Sequence, residues 1–107
     1  GSNCINTAGE KVYPEEVEEA LKAHDAVKDA LVVGVPDDKW GQSITAVVSL
    51  DGAADEETLR EFVKTKLAHY KAPKRILFKK DRGRAVNGKA DYKSIKAFAL
   101  AELGISV

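Results

Sequence analysis

Two periodicities alternate along this chain, one of about 3.6 residues and one of short unbroken apolar runs. Ile5 to Val12, interrupted by Gly9, predicts a short hairpin. Pro14-Glu15-Glu16 then opens a helix, with proline at the first helical position and acids in the first turn. Val17, Ala20 and Leu21 supply its apolar stripe, and it ends near His24. Ala30-Leu31-Val32-Val33-Gly34-Val35 is a continuous apolar strand, broken by Pro36-Asp37-Asp38. Ile44 to Leu50 is a second strand, closed by Asp51-Gly52 and placed to pair antiparallel with the first. Asp55 caps a second helix whose stripe is Leu59, Phe62, Val63, Leu67 and Tyr70, ended by Lys71-Ala72-Pro73. Arg75 to Lys79 reads as a third strand, and Asp81 to Asn87 as a polar loop containing Gly83. Asp91 caps a last helix bearing Ile95, Phe98, Ala99 and Leu103, and Gly104 ends it. The predicted fold class is α+β: a small three-stranded, antiparallel-containing sheet with an N-terminal hairpin and covering helices, one domain over residues 1–107.

Composition narrows the class. Apolar content of 44% and charged content of 32% suit a globular chain. No apolar run approaches a bilayer span, and no signal-peptide pattern opens the chain. The single cysteine, Cys4, cannot close an internal disulfide, which points to a reducing, cytoplasmic setting. His24 and His69 stand far apart in sequence and no metal site is readable. With no methionine anywhere, the chain is expected to be a piece of something longer. Its net charge is zero but unevenly spread. Residues 1–61 hold 5 Lys/Arg against 14 Asp/Glu, and residues 62–96 hold 12 Lys/Arg against 2 Asp/Glu. Such a split suits either an anionic partner at the basic part or ordinary solvated helix faces.

Four stretches carry candidate chemistry. In Gly9-Glu10-Lys11-Val12-Tyr13-Pro14-Glu15-Glu16-Val17-Glu18, Gly9 permits either a turn or a ligand's close approach, and Glu10 can accept hydrogen bonds. Gly34-Val35-Pro36-Asp37-Asp38-Lys39-Trp40-Gly41-Gln42 is a turn in which Trp40 is expected to pack over one end of the sheet. Tyr70-Lys71-Ala72-Pro73-Lys74-Arg75 gathers three bases beside a tyrosine, suited to phosphate or to a solvated connection. In Asn87-Gly88-Lys89-Ala90-Asp91, a turn dipeptide precedes a lysine at the entrance to a helix, holding an ammonium where it can meet an anion. This is not a P-loop, since Ala90 follows Lys89.

Taken in order, these stretches resemble the C-terminal domain of the adenylate-forming enzymes: acyl-CoA synthetases, peptide-synthetase adenylation domains and luciferases. The likeness runs from about Ile5 to Ile105, and the Asn-Gly-Lys-Ala-Asp-Tyr form is most similar to actinobacterial fatty-acid-type CoA ligases. It implies that ATP, taken with Mg2+, activates a carboxylic acid to an acyl-adenylate, and that the acyl group passes to CoA. It also implies a larger N-terminal adenylation domain as partner, over which this small domain closes and then rotates. Lys89 matches the family's adenylation lysine, and Gly88 shares its turn. Gly9 matches the glycine-rich loop that lines the pantetheine tunnel, and Glu10, Lys71 and Gly88 are taken with it as cofactor-binding residues. The family carries two glycines before the glutamate, whereas Ala8 stands first here. The hinge residue would fall near Ser2, which departs from the family's Asp or Lys, so no hinge is assigned. A lysine exposed on a tip is also open to acetylation, which would remove its charge. The competing class is a small α+β binding module for an anionic ligand, without catalysis. Zero net charge and the lack of an aromatic-studded basic sheet weigh against nucleic acid as that ligand.

Overall fold

The computed structural model describes residues 3–80 and 87–106. The predicted loop lies outside the described residues except for Asn87, as does Ser2. The elements run β1 (Ile5–Thr7), β2 (Glu10–Val12), α1 (Pro14–Lys22), β3 (Val27–Asp37), β4 (Gly41–Leu50), α2 (Glu56–Lys64), β5 (Arg75–Phe78) and α3 (Tyr92–Leu103). A single 3-10 turn, His69–Lys71, sits between α2 and β5.

The α+β class and the antiparallel pair of long strands are as the sequence predicts, and the sheet is wider than three strands. β3 and β4 pair antiparallel from Val27↔Leu50 to Asp37↔Gly41. β5 joins the other side of β4 in parallel, with Thr45↔Arg75 through Val48↔Phe78. The hairpin enters the same sheet through Thr7↔Gly41, which brings it to five strands. Pro36 does not break β3. Among the described residues β3 pairs only with β4, so it is an edge strand, where a missing N–H costs no ladder bond.

Both faces of the β3–β4 ribbon are buried, and each needs a cover. Ala30, Val32, Ile44, Ala46 and Val48 face α1 and α2, meeting Val17, Leu21, Leu59 and Val63. Leu31, Val33, Val35 and Val47 face α3, meeting Ile95 and Ala99. The helix ends follow the sequence signals. The Asp55 carboxylate accepts the Thr58 N–H at 2.7 Å, Asp91 accepts the Ser94 N–H at 3.1 Å, and Gly104 closes α3 at φ 69°. α2 stops at Lys64 rather than running to Tyr70; Leu67 still packs on the core, from the turn beyond the helix.

The two-residue hairpin loop places both Ala8 (φ 51°) and Gly9 (φ 82°) in the left-handed region. That is the type I′ geometry that matches strand twist. For an L-residue such as Ala8 it costs about 1–2 kcal/mol, against about 0.5–1 kcal/mol of extra unfolded-state entropy for glycine. Ala8→Gly should therefore raise stability by about 0.5–1 kcal/mol. Urea unfolding checks this, the midpoint rising with an unchanged slope.

Candidate functional site

The sequence-predicted site residues fall into two groups, one at the hairpin tip and the turn before β5 and one at the entrance to α3. Gly9 and Glu10 lie at the hairpin tip, and a Cβ built on Gly9 meets nothing within 4 Å. Lys71 belongs to the same group. Its Nζ donates to Glu16 Oε1 at 2.8 Å, tying the turn before β5 to the first turn of α1. Glu16 also accepts the Tyr13 N–H at 3.2 Å through its side chain, while its own N–H donates to the Tyr13 carbonyl at 3.1 Å. Lys71 is thus a structural tie in this arrangement as well as a candidate phosphate contact.

Gly88 and Lys89 lie at the entrance to α3. Gly88 has φ 83°, and a Cβ there would also meet open space. The Lys89 N–H donates to Asn87 Oδ1 at 3.1 Å, which shapes the turn, and the Lys89 side chain is exposed. Asp91 then caps α3 through both the Ser94 N–H and Oγ. The geometry presents an ammonium at a helix entrance, as the turn dipeptide predicts.

A groove that the sequence reading missed lies beside the hairpin tip. It encloses about 360 Å3 between Ala8, Trp40, Tyr70, Arg60, Lys64 and Lys74. Trp40 is not packed over the sheet end; it is 38% exposed, and Tyr70 is 47% exposed. The Lys74 ammonium lies 4.7 Å from the Trp40 ring centre while bonding Asp37 Oδ2 at 2.7 Å. Arg60 holds the wall in place, donating to the carbonyls of Pro73 and Lys74 at 2.9 Å and to Glu56 and Glu57 at 2.8 Å. The signal available in sequence was Trp40 followed by Gly41 in a tight turn. A three-residue link between β3 and β4 leaves nothing to cover so large a ring.

Solved structures place this architecture among acyl-CoA synthetases. A Mycobacterium tuberculosis fatty acyl CoA synthetase superposes with a TM-score of 0.89 at 32% identity, covering 94% of this chain and 20% of that one. The o-succinylbenzoate CoA synthetase of Bacillus subtilis, solved with its acyl-adenylate intermediate, gives a TM-score of 0.84 at 34% identity, covering 89% of this chain and 20% of that one. The AMP-binding enzyme C-terminal domain model matches residues 16–89, and the chain belongs to that family. Among curated relatives, a 3-oxocholest-4-en-26-oate–CoA ligase of Rhodococcus rhodochrous is 52% identical over 90% of this chain, and a medium-chain acyl-CoA ligase of Mycobacterium avium is 49% identical over 86%. This chain spans only 18% and 17% of those relatives' lengths. Among the described residues no helix is long and apolar enough to cross a membrane.

Several carboxyls near the groove are held below their ordinary values. For Glu16 the cause is first the Lys71 hydrogen bond, and for Asp37 the Lys74 hydrogen bond. Burial pushes Glu56 up, but the Ile76 N–H, Arg75 and Arg60 together outweigh it. A carboxyl lowered by folding contributes stability that is complete above its unfolded pKa and is lost as pH falls through the folded value. Acidification from about pH 5 to pH 3 should therefore destabilise the domain. Lys71→Met returns Glu16 toward its ordinary value, so the variant starts less stable and loses less over that window. Thermal melts at stepped pH check both the sign and the shallower slope.

Proposed function

We propose that this chain is the C-terminal domain, over residues 1–107, of an acyl-CoA synthetase. In this reading it serves the two half-reactions with two different faces. The observation that carries it is the separation itself: an exposed lysine turn enters α3 on one face of the sheet, and an aromatic, cation-rimmed groove opens beside α2 on the other.

In the first half-reaction a carboxylate oxygen attacks the α-phosphorus of ATP and the bond to pyrophosphate breaks. Two anions must approach one another, and the Lys89 ammonium offsets their repulsion. At ~4 Å and an effective dielectric of about 20 one such contact is worth about 4 kcal/mol. Expressed in the transition state, that is roughly a thousandfold in rate. The Gly88 turn lets the backbone aim that ammonium outward.

In the second, the CoA thiolate attacks the acyl carbon and AMP leaves. The groove suits the nucleotide end of CoA, with the Trp40 and Tyr70 rings as surfaces for a planar base and Lys74 within reach of phosphate. The hairpin tip beside it, with Gly9 open and Glu10 exposed, supplies backbone against which pantetheine can run. Lys71 secures that wall through Glu16. ATP enters with Mg2+ in this reading. Among the described residues no three His, Cys, Asp or Glu side chains stand together to hold a metal, and no step above passes through one. The substrate is a carboxylic acid of the fatty-acid class, and the acyl and most ATP contacts come from the N-terminal adenylation domain. The domain alone is expected to be essentially inactive.

In the intact two-domain protein, Lys89→Ala should lower acyl-adenylate formation by roughly a thousandfold and spare thioester formation from supplied acyl-adenylate. Trp40→Ala should do the reverse, raising KM for CoA while adenylation persists. Equal loss of both half-reactions in either variant contradicts the division of labour between the faces.

A further inference from the structure

One buried acid has no part in the chemistry above. Glu18 is only 6% exposed, on the side of α1 that meets the free edge of β3. Its Oε2 accepts the Val32 N–H at 2.9 Å and the Tyr92 hydroxyl at 2.8 Å, and its Oε1 lies 3.0 Å from the same hydroxyl. One carboxylate therefore joins α1, β3 and α3.

Burying a carboxylate is costly unless its oxygens are satisfied. Burial pushes the Glu18 carboxyl up, and the Tyr92 and Val32 bonds act against that. An apolar residue at position 18 would avoid the cost and would serve packing as well. What it could not do is hold Tyr92. That residue opens α3, directly after the Asp91 cap and three positions after Lys89. The apolar anchors of α3, Ile95 and Ala99, begin one turn further on. They fix the helix against the sheet, and the Tyr92 ring and Ala90 pack on the same cluster, but apolar contact is non-directional and does not aim the first turn. The Tyr92 hydroxyl bond acts on that first turn.

We propose that Glu18 and Tyr92 are positioning residues for Lys89, a latch between α1 and the first turn of α3 that fixes where the lysine turn points. This rests on the reading that Lys89 serves adenylate formation. The latch leaves the groove face untouched, so its loss should register in one half-reaction only.

The test uses the intact two-domain protein, with adenylate formation followed by pyrophosphate release and thioester formation by acyl-adenylate consumption. Tyr92→Phe, which keeps the ring and removes the hydroxyl, should lower kcat for adenylation about tenfold and change thioester formation by less than about twofold. Glu18→Ala should match it, and the double variant should be no worse than either single change. Glu18→Gln, which keeps an oxygen acceptor, should restore most of the rate. Unchanged adenylation in Tyr92→Phe overturns the latch, as does an equal fall in both half-reactions with a lowered melting temperature. Lys89→Ala is measured alongside. Full adenylation in that variant overturns the Lys89 reading itself, whereas loss there with none in Tyr92→Phe overturns the latch alone.

Discussion

The β3–β4 ladder is the constraint on which the rest of this structure depends. Its two strands are paired over almost their whole length, and their residues are buried on both faces. A ribbon of that kind cannot leave either face to water. α1 and α2 must cover one side and α3 the other, and β5 and the hairpin attach where β4 still offers an edge. The division of helices between two faces also separates the lysine turn from the aromatic groove. The separation of the two proposed functional surfaces thus follows from how the ribbon is buried.

Polar ties then fix the parts that packing leaves loose. Arg60 and Glu56 pin the segment before β5 and β5 itself to α2, with Glu56 accepting the Ile76 N–H at 2.8 Å. Glu16 and Lys71 join α1 to the turn that carries Tyr70. Glu18 joins α1 to β3 and α3. Glu56 and Glu16 lie in the first turns of their helices and Glu18 in the middle of α1, and each holds a segment distant in sequence. The acidic first half and basic second half of the chain meet in three ion pairs, Glu16 with Lys71, Asp37 with Lys74 and Glu56 with Arg75.

Much of this was legible in the sequence because its causes are local. The caps Asp55 and Asp91, the Pro14 start and the Gly104 stop depend on neighbours within a turn, and each acts where the spacing predicts. The apolar runs of β3 and β4 were equally plain. What escaped depended on distant partners. Pro36 reads as a breaker until β3 is known to be an edge. Trp40 reads as core until the brevity of its loop is known. Leu67 and Tyr70 extend the apolar spacing of α2 past its end, although only Leu67 packs inward. Glu18 is one of several acids in α1 and gives no sign of burial, since its partners are 14 and 74 residues away. Lys89, Gly88, Gly9, Glu10 and Lys71 were singled out from motif order. The structure divides them between the hairpin tip with the turn before β5 and the entrance to α3, a separation that no spacing along the chain could express.

In the function we propose, this domain presents the lysine turn and the groove in turn to the adenylation domain. The most direct measurement is a spin-label distance in the intact two-domain protein, with Cys4→Ser removing this domain's thiol and any cysteine of the adenylation domain likewise replaced. One label is placed at Ala97→Cys on the exposed side of α3 or at Glu61→Cys on that of α2, and the other at a fixed point in the adenylation domain. With a non-reactive acyl-adenylate analogue alone, the account predicts that Ala97 lies near the adenylation domain and Glu61 far from it. Adding CoA should reverse the order. Two distances that stay unchanged when CoA is added would contradict the account.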